Sequence, residues 1–200
     1  MVPQPPLSAR LKADTRALHD EAEAHPAMCA LVAPDLTREA YREHLASLFR
    51  FHAALEPALA ACPGLGDWVP DLAARRKTDA LKADLLYFGA SEQEVEEMAS
   101  PAVPPLPMEG AADGLGALYV TEGATLGGRI LARHLAGSLG VDASTGAAHF
   151  LSYGDARGPM WQRYRAAVDA FGETNPAQAD RVVGAAKATF AAFSRALPLP

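Results

Sequence analysis

The sequence has 200 residues, half of them hydrophobic, and a formal net charge of −6. This length predicts a single domain over residues 1–200, with loose termini at 1–7 and 198–200. The acidic balance argues against a general nucleic-acid-binding protein, which would carry a basic surface. No apolar run approaches the roughly 18–20 residues that cross a bilayer, and the N-terminal segment lacks the apolar core of a signal peptide. We therefore expect a cytoplasmic protein without a membrane span.

Two cysteines, Cys29 and Cys62, are present. Their number and separation fit neither a disulfide framework nor a CxxC metal site. In a reducing compartment we expect both to behave as small apolar residues.

Helical periodicity begins near the N-terminus. Ser8 is a candidate cap for a first helix that runs to about His25, where Pro26 breaks it. Thr37 directly precedes a longer helical stretch over residues 38–59, whose apolar positions form a broad stripe.

The middle of the chain continues the pattern. A helix is expected from about 71 to 88, closed by Gly89, and the Ser91–Glu94 spacing is a capping box for a short helix after it. Residues 100–110 hold four prolines and predict a loop. A further helix is expected from about 113 to 134 or slightly beyond.

The C-terminal part predicts two more helices, over about 159–171 and 177–197. Asn175 is the candidate cap of the last one and Pro176 suits its first turn. No alternating apolar and polar run predicts a strand. The expected fold is therefore all-α, one compact multi-helix domain.

The first helix carries a candidate ligand set. Lys12, Thr15, His19 and Glu23 are spaced by three, four and four residues and share one helix face. A histidine there could bind a metal, with Glu23 accepting a hydrogen bond from the other ring nitrogen and Lys12 holding a carboxylate. An ordinary solvated helix face explains the same spacing, so both readings stay open.

The helix after the proline loop contains Gly123, Gly127 and Gly128. Three interior glycines disfavour a helix by about 3 kcal/mol relative to alanine, so helix propensity does not explain them. Either another part of the chain packs closely against this helix, or a flat ligand lies on its backbone.

Together, these segments resemble the haem oxygenase family in its bacterial, biliverdin-producing form. Residues 11–23, LKADTRALHDEAE, match the family pattern LKxxTxxxHxxxE. Residues 122–131, EGATLGGRIL, resemble its glycine-rich distal helix, and residues 150–171 resemble a late segment of its bacterial members. The three motifs occur in the family's order.

The resemblance implies a haem oxygenase-like domain with haem between a proximal and a glycine-rich distal helix. His19 would be the axial ligand to the iron, and Lys12 and Arg165 would pair with the propionates. The haem side of the proximal helix would also include Thr15 and Glu23. The distal glycines, 123, 127 and 128, would lie over the haem.

The residue after the first distal glycine departs from the pattern. Animal-type members carry an aspartate that organises proton-donating water at this position, whereas this sequence has Ala124. Protons would then arrive through water held by backbone carbonyls or by Thr125. Glu122 is a weaker candidate, because the direction of its side chain does not follow from the sequence.

The activity implied is oxidative cleavage of haem, as both substrate and cofactor, by O2 to biliverdin, carbon monoxide and ferrous iron. Electrons would come from a separate reductase or ferredoxin, because the sequence has no flavin or dinucleotide fingerprint. A monomer is the default. Two alternatives remain: a haem-binding or haem-transfer protein without turnover, and another helical enzyme on a related fold, such as the thiamin-degrading family.

Overall fold

The computed structural model of the protein describes residues 5–100 and 107–198, and these residues form helices and no β-strand. The expected all-α fold is confirmed. The α-helices are α1 Leu7–Asp14, α2 Arg16–Glu23, α3 Pro26–Ala30, α4 Arg38–Ala60, α5 Leu65–Trp68, α6 Thr78–Tyr87, α7 Glu92–Met98, α8 Ala111–Leu139, α9 Arg157–Thr174 and α10 Ala179–Ala196. Short 3-10 helices cover Leu72–Arg75, Gly154–Ala156 and Pro176–Gln178.

Helix α8 is the 29-residue axis of the fold, and α10 packs along it. Gly116 permits this approach, since a Cβ there would lie 2.3 Å from the Val182 carbonyl oxygen. A large apolar cluster joins these two helices to α1 and α9. Within it, the buried Tyr164 hydroxyl donates a 2.8 Å hydrogen bond to the Leu115 carbonyl, which satisfies an otherwise costly polar group.

A second apolar cluster lies between α4, α6 and the far part of α8. Tyr41 is fully buried there and donates a 2.8 Å hydrogen bond to the Gly146 carbonyl. None of the helices within 5–100 and 107–198 combines the length and the hydropathy that a membrane-spanning segment requires.

The N-terminus differs from its predicted form. Leu7 is buried in the first cluster, so the expected loose segment 1–7 is wrong at this residue. Ser8 is not a cap: it lies inside α1, and its backbone nitrogen and hydroxyl both donate to the distant Asp169 carboxylate, at 2.7 and 2.9 Å. Ser8 therefore bonds to a carboxylate that is distant in the sequence and makes no local capping hydrogen bond.

The single helix expected over 8–25 is divided into α1 and α2 at Thr15, whose backbone leaves helical geometry at φ −109° and ψ 2°. Its hydroxyl donates to the Leu11 carbonyl at 2.7 Å. Pro26 ends the run as predicted, but it also starts α3, with His25 as the capping residue.

The helix expected over 71–88 is also divided. Glu56 of α4 accepts the backbone N–H of Lys77 at 2.6 Å and binds both the N–H and the hydroxyl of Thr78. This carboxylate starts α6 at Thr78 and separates it from the 3-10 turn before it, because it satisfies N–H groups at a new helix start.

Other predicted boundaries have mixed outcomes. The Ser91–Glu94 capping box and the helix end at Gly89, which is left-handed (φ +84°), are confirmed. Thr37 directly precedes α4 as expected, and its hydroxyl caps the helix by accepting the Ala40 N–H. The Asn175 cap is wrong, since its amide donates backwards to the Phe171 carbonyl, and Pro176 opens a 3-10 turn instead. Most of the predicted proline loop, at 101–106, lies outside the described residues, as do 1–4 and 199–200.

Cys62 is buried as expected, whereas Cys29 is exposed, and both are free thiols.

Candidate functional site

His19 lies on α2 with half of its side chain exposed (51%). Its Nδ1 is 3.6 Å from an Asp20 carboxylate oxygen and 3.7 Å from a Glu23 carboxylate oxygen, slightly too long for hydrogen bonds. The arrangement turns Nδ1 toward negative charge and leaves Nε2 as the nitrogen available to a metal. An Arg16 hydrogen bond chiefly lowers the pKa of Asp20, which keeps that carboxyl ionised beside the ring.

An apolar surface flanks His19. The Phe190 ring of α10 lies edge-on with its centroid 6.3 Å from the imidazole. Ala22, Val120 and Phe190 form a small apolar cluster with Leu18 packed against it, so α2, α8 and α10 meet here. A flat hydrophobic ligand bound at His19 would find apolar walls on this side.

Thr15 is buried where α1 joins α2, and its hydroxyl is committed to the Leu11 carbonyl. It faces Tyr119 of α8: burial raises the pKa of the Tyr119 phenol, and the Thr15 hydroxyl beside it acts in the opposite direction. Thr15 is therefore a buried residue at the junction of the two N-terminal helices and contacts α8 through Tyr119.

The glycines of α8 divide into two kinds. A Cβ on Gly128 would lie 2.3 Å from the Phe150 carbonyl oxygen, so close packing requires this glycine. A Cβ on Gly127 would meet nothing within 4 Å, and one on Gly123 would meet only Trp161 at 4.0 Å. The packing explanation accounts for Gly128, while Gly123 and Gly127 leave open space along the helix.

We expect Gly128→Ala to destabilise the fold by about 2–3 kcal/mol, since the new methyl group overlaps a backbone oxygen. Thermal unfolding should then occur roughly 5–10 °C lower. The neighbouring Gly127→Ala is the matched control, and it should stabilise by up to about 1 kcal/mol through helix propensity alone. Equal melting temperatures for the two variants would contradict this division of the glycines.

Helices α1 and α9 run antiparallel. Ser8, at the start of α1, binds Asp169 near the end of α9. Thr15, after the end of α1, lies beside Tyr119, whose ring centroid is 6.0 Å from that of Trp161 near the start of α9. The residue numbers on the two helices therefore change in opposite directions.

Lys12 and Arg165 lie midway between these two contacts, and both are exposed. On antiparallel helices, Lys12, one turn after Ser8, and Arg165, one turn before Asp169, are at the same level along the helix pair. Two exposed cations at this level of the α1–α9 pair suit a ligand with carboxylate groups.

A buried charged cluster that the sequence does not predict contacts α8 at Glu122. Glu122 is 1% exposed and accepts hydrogen bonds from Arg75, from Lys77 Nζ at 3.2 Å and from the Tyr153 hydroxyl at 2.8 Å. The direction of the Glu122 side chain is thereby settled: it points to the 72–78 region. Its charge within the apolar stretch LYVTEGATL is the one sequence signal of a buried partner.

The electrostatics of this cluster balance burial against pairing. Burial lowers the pKa of Lys77, although Glu122 acts against that effect. Burial alone would also lower the pKa of Arg75, but its hydrogen bond to Asp71 and the Glu122 charge raise it overall. Arg75 stays charged, whereas the protonation of Lys77 depends on its partners.

A cavity of about 360 Å³ reaches this region and is lined by polar and apolar groups, namely His52, Glu56, Leu59, Ala60, Leu72, Ala73, Arg75, Arg76, Leu118 and Thr121. His52 Nδ1 lies 3.6 Å from Glu56, and its ring centroid is 5.7 Å from that of His149. Burial lowers the pKa of both imidazoles. The cavity is large enough to hold water next to charged groups, among them Glu56 and Arg75.

Thr125 is half-buried, and its hydroxyl donates to the Glu122 carbonyl at 2.7 Å within the helix. Ala124 is exposed and offers no polar group. On this turn of α8, the ionisable side chain is that of Glu122.

A comparison with known proteins identifies the family to which the chain belongs. The family model described as "Heme oxygenase" matches residues 5–198. The chain belongs to the haem oxygenase family. A haem oxygenase from Xanthomonas campestris pv. campestris is 36% identical over 141 residues, covering 66% of this chain and 77% of that protein. Heme oxygenase PigA of Pseudomonas aeruginosa is 31% identical over 136 residues, covering 68% of this chain and 65% of that protein.

Solved structures confirm the haem oxygenase fold. The NO- and CO-bound haem oxygenase of Neisseria meningitidis superposes with a TM-score of 0.77 at 28% identity, covering 96% of this chain and 90% of that one. Haem oxygenase-1 of Synechocystis sp. PCC 6803 in complex with haem gives a TM-score of 0.67 at 19% identity, covering 96% and 90%.

Proposed function

We propose that the protein is a haem oxygenase that cleaves haem to biliverdin, carbon monoxide and ferrous iron, using O2 and electrons from a separate donor. The observation that carries this proposal is the open glycine stripe of α8, which begins one turn after the contact between α2, the helix that carries His19, and α8. Ala22 of α2 packs on Val120 of α8, and Gly123 and Gly127 follow Val120 at three and seven residues on the same helix face. Bare backbone therefore continues from the point where the histidine helix meets α8.

The residues present fit haem as the substrate. His19 Nε2 would bind the iron, with Asp20 and Glu23 near Nδ1 keeping the ring oriented. Lys12 and Arg165 would hold the propionates. Leu126 and Ile130 are 45% and 70% exposed on α8, and burial against a porphyrin would stabilise the complex.

Haem supplies the iron at which O2 is reduced, and it is also the molecule that is oxidised. The protein would position the haem through a neutral imidazole ligand and through a helix that has no side chains at Gly123 and Gly127. This surface would orient the haem and leave room beside it for O2, and such orientation is a major part of catalysis. Gly128 would contribute indirectly, by seating α8 against Phe150.

Protons would come from the buried cluster beneath α8. Ala124 supplies no acid, and the Thr125 hydroxyl is bound within its own helix. Glu122 precedes Gly123 directly and is bridged to Lys77 and Tyr153. Water in the adjoining cavity would connect this cluster with bulk solvent, since the cavity is polar and large enough to hold it.

The electron donor would be a reductase or ferredoxin that docks near the haem edge. Arg129 and Arg133 are exposed one turn apart on α8, beyond the glycines. With Lys12 and Arg165 they would form a basic rim on an acidic protein and attract an acidic donor. The protein would act as a monomer.

A haem carrier is the second candidate function, and Ala124 favours it, because a carrier needs no proton donor. Both functions require haem binding, and only the oxygenase destroys the porphyrin.

The deciding experiment is a titration of the purified protein with hemin, followed by a reductant in air, with the visible spectrum recorded throughout. We expect saturation near one equivalent and then loss of the porphyrin bands with formation of a biliverdin-like product. Tight binding without bleaching would favour the carrier. Absence of binding would overturn both functions and leave another helical chemistry, such as thiamin degradation.

A further inference from the structure

The segment 146–153 is fastened to the fold at its beginning. The Asp84 carboxylate, which is 1% exposed, accepts the backbone N–H groups of Ala148 and His149 at 2.8 and 2.9 Å. Tyr41 donates to the Gly146 carbonyl at 2.8 Å. Buried hydrogen bonds of this kind fix a backbone that has no regular structure of its own.

Tyr153, at the other end of this segment, has φ +67°, and it is the one residue other than glycine with a positive φ among those the structure describes. Such a conformation is unfavourable for a bulky side chain with a Cβ and persists where surrounding contacts enforce it. The contacts are polar: the Tyr153 hydroxyl lies 2.5 Å from Lys77 Nζ and 2.8 Å from a Glu122 carboxylate oxygen.

Lys77 has a complete set of partners only because of this tyrosine. Its ammonium has three hydrogens, and it is 1% exposed. The three acceptors are the Arg75 carbonyl at 2.6 Å, the Glu122 carboxylate at 3.2 Å and the Tyr153 hydroxyl at 2.5 Å. The centroid of the Tyr153 ring also lies 4.2 Å from Lys77 Nζ.

We propose that Tyr153 is a positioning residue that keeps the charged Lys77 ammonium against Glu122 on the turn of α8 before Gly123. The inference rests on the proposed function and names the part of the fold that controls its proton supply. Without the hydroxyl, a buried ammonium hydrogen loses its acceptor, which favours either neutral Lys77 or exposure of the amine.

The groups around Lys77 set the direction of the pH effect. The negatively charged groups are Glu56 of α4 and Glu122 of α8. The positive or neutral groups are His52 of α4, Arg75 of the 72–75 turn, and His149 and Tyr153 of the 146–153 segment. Burial already lowers the pKa of Lys77. Loss of the hydroxyl removes a hydrogen bond to the charged form and should lower it further, so the alkaline limit of haem turnover should move to lower pH.

The first test uses haem-free protein and an amine-acylating reagent, with labelling of each lysine followed by mass spectrometry over roughly pH 6–9. Tyr153→Phe should increase labelling of Lys77 about ten-fold, because one hydrogen bond to a charged group is lost. The half-exposed Lys82, which pairs with Glu92, is the internal reference. Tyr87→Phe, an exposed tyrosine on α6, is the matched control and should leave Lys77 unchanged.

The second test is a double-mutant cycle on single-turnover haem degradation. Tyr153→Phe should slow degradation about ten-fold while hemin affinity stays constant, and it should add nothing in a Lys77→Met background. Additive effects, a parallel loss of hemin affinity, or unchanged Lys77 labelling would overturn the proposal. If the wild-type protein binds haem without degrading it, the proposed function fails, and the labelling result still decides whether Tyr153 holds Lys77.

Discussion

His19→Ala should abolish haem degradation and weaken hemin binding by more than about 100-fold, because the variant loses the nitrogen that would bind the iron. His19 is half-exposed and makes no close hydrogen bond, so its removal should leave the fold nearly unchanged. The measurements are a hemin titration, the position of the strongest porphyrin band, and thermal unfolding of the haem-free protein.

Glu21→Ala provides the matched control, since Glu21 is exposed on α2 but is two residues from His19 and therefore on a different face. It should bind and degrade haem like the wild type. Added imidazole should restore hemin binding to His19→Gly, because free imidazole can occupy the space that the side chain leaves. Undiminished binding by His19→Ala would show that another residue holds the iron.

The face that carries His19 was predictable because short-range spacing determines it. His19 and Glu23 are one turn apart on α2, as expected. Lys12 instead lies on α1, since the helix is interrupted at Thr15. The face is nearly preserved because i to i−4 hydrogen bonds continue on both sides of the interruption, at Thr15 N–H and His19 N–H. Short-range spacing carries no signal of the interruption at Thr15, where the residue is buried and lies beside Tyr119 of α8.

The role of each glycine in α8 was not predictable from the sequence. Their energetic cost in a helix is visible in the sequence, but the reason for each one depends on what lies opposite. Gly127 and Gly128 are adjacent and have opposite surroundings, open space and a carbonyl oxygen. Gly116 is required because the backbone of α10 lies close to it. Its neighbours along the chain do not distinguish it from the other glycines of α8.

The buried charged cluster was beyond prediction because its members come from three distant segments. Arg75 and Glu122 are 47 residues apart, and Tyr153 is 31 residues beyond Glu122. No helical period connects such positions. The local sequence instead predicts one continuous helix from about 71 to 88, whereas hydrogen bonds to the buried Glu56 and Glu122 carboxylates hold Lys77 inside the fold.

A buried ionic cluster contributes little net stability, because desolvation offsets much of the attraction between the charges. Arg75, Lys77 and Glu122 would be replaceable by apolar side chains if the fold were their only purpose. Their position behind the turn that carries Gly123, next to a cavity that can hold water, is consistent with a role in proton supply. Apolar replacements should therefore retain the fold and lose the chemistry, which separates the two explanations.

Gly127→Leu should leave the haem-free fold intact and reduce hemin affinity or turnover by at least about ten-fold. A Cβ at this position meets nothing within 4 Å, and leucine is the better helix former by up to about 1 kcal/mol, so thermal unfolding should occur at an equal or higher temperature. The same side chain would occupy the space proposed for the porphyrin face and its bound oxygen. Hemin titration and carbon monoxide binding to the reduced complex measure the two effects separately.

Gly137→Leu is the control for this change, because Gly137 lies on α8 ten residues later and is also open. It should gain the same helix propensity and keep full hemin binding. Normal binding and turnover in both variants would mean that the open stripe at Gly123 and Gly127 does not face the haem, and the glycines would need another explanation. A loss confined to Gly127→Leu would place the substrate on that stripe, since the two variants differ only in where the leucine projects.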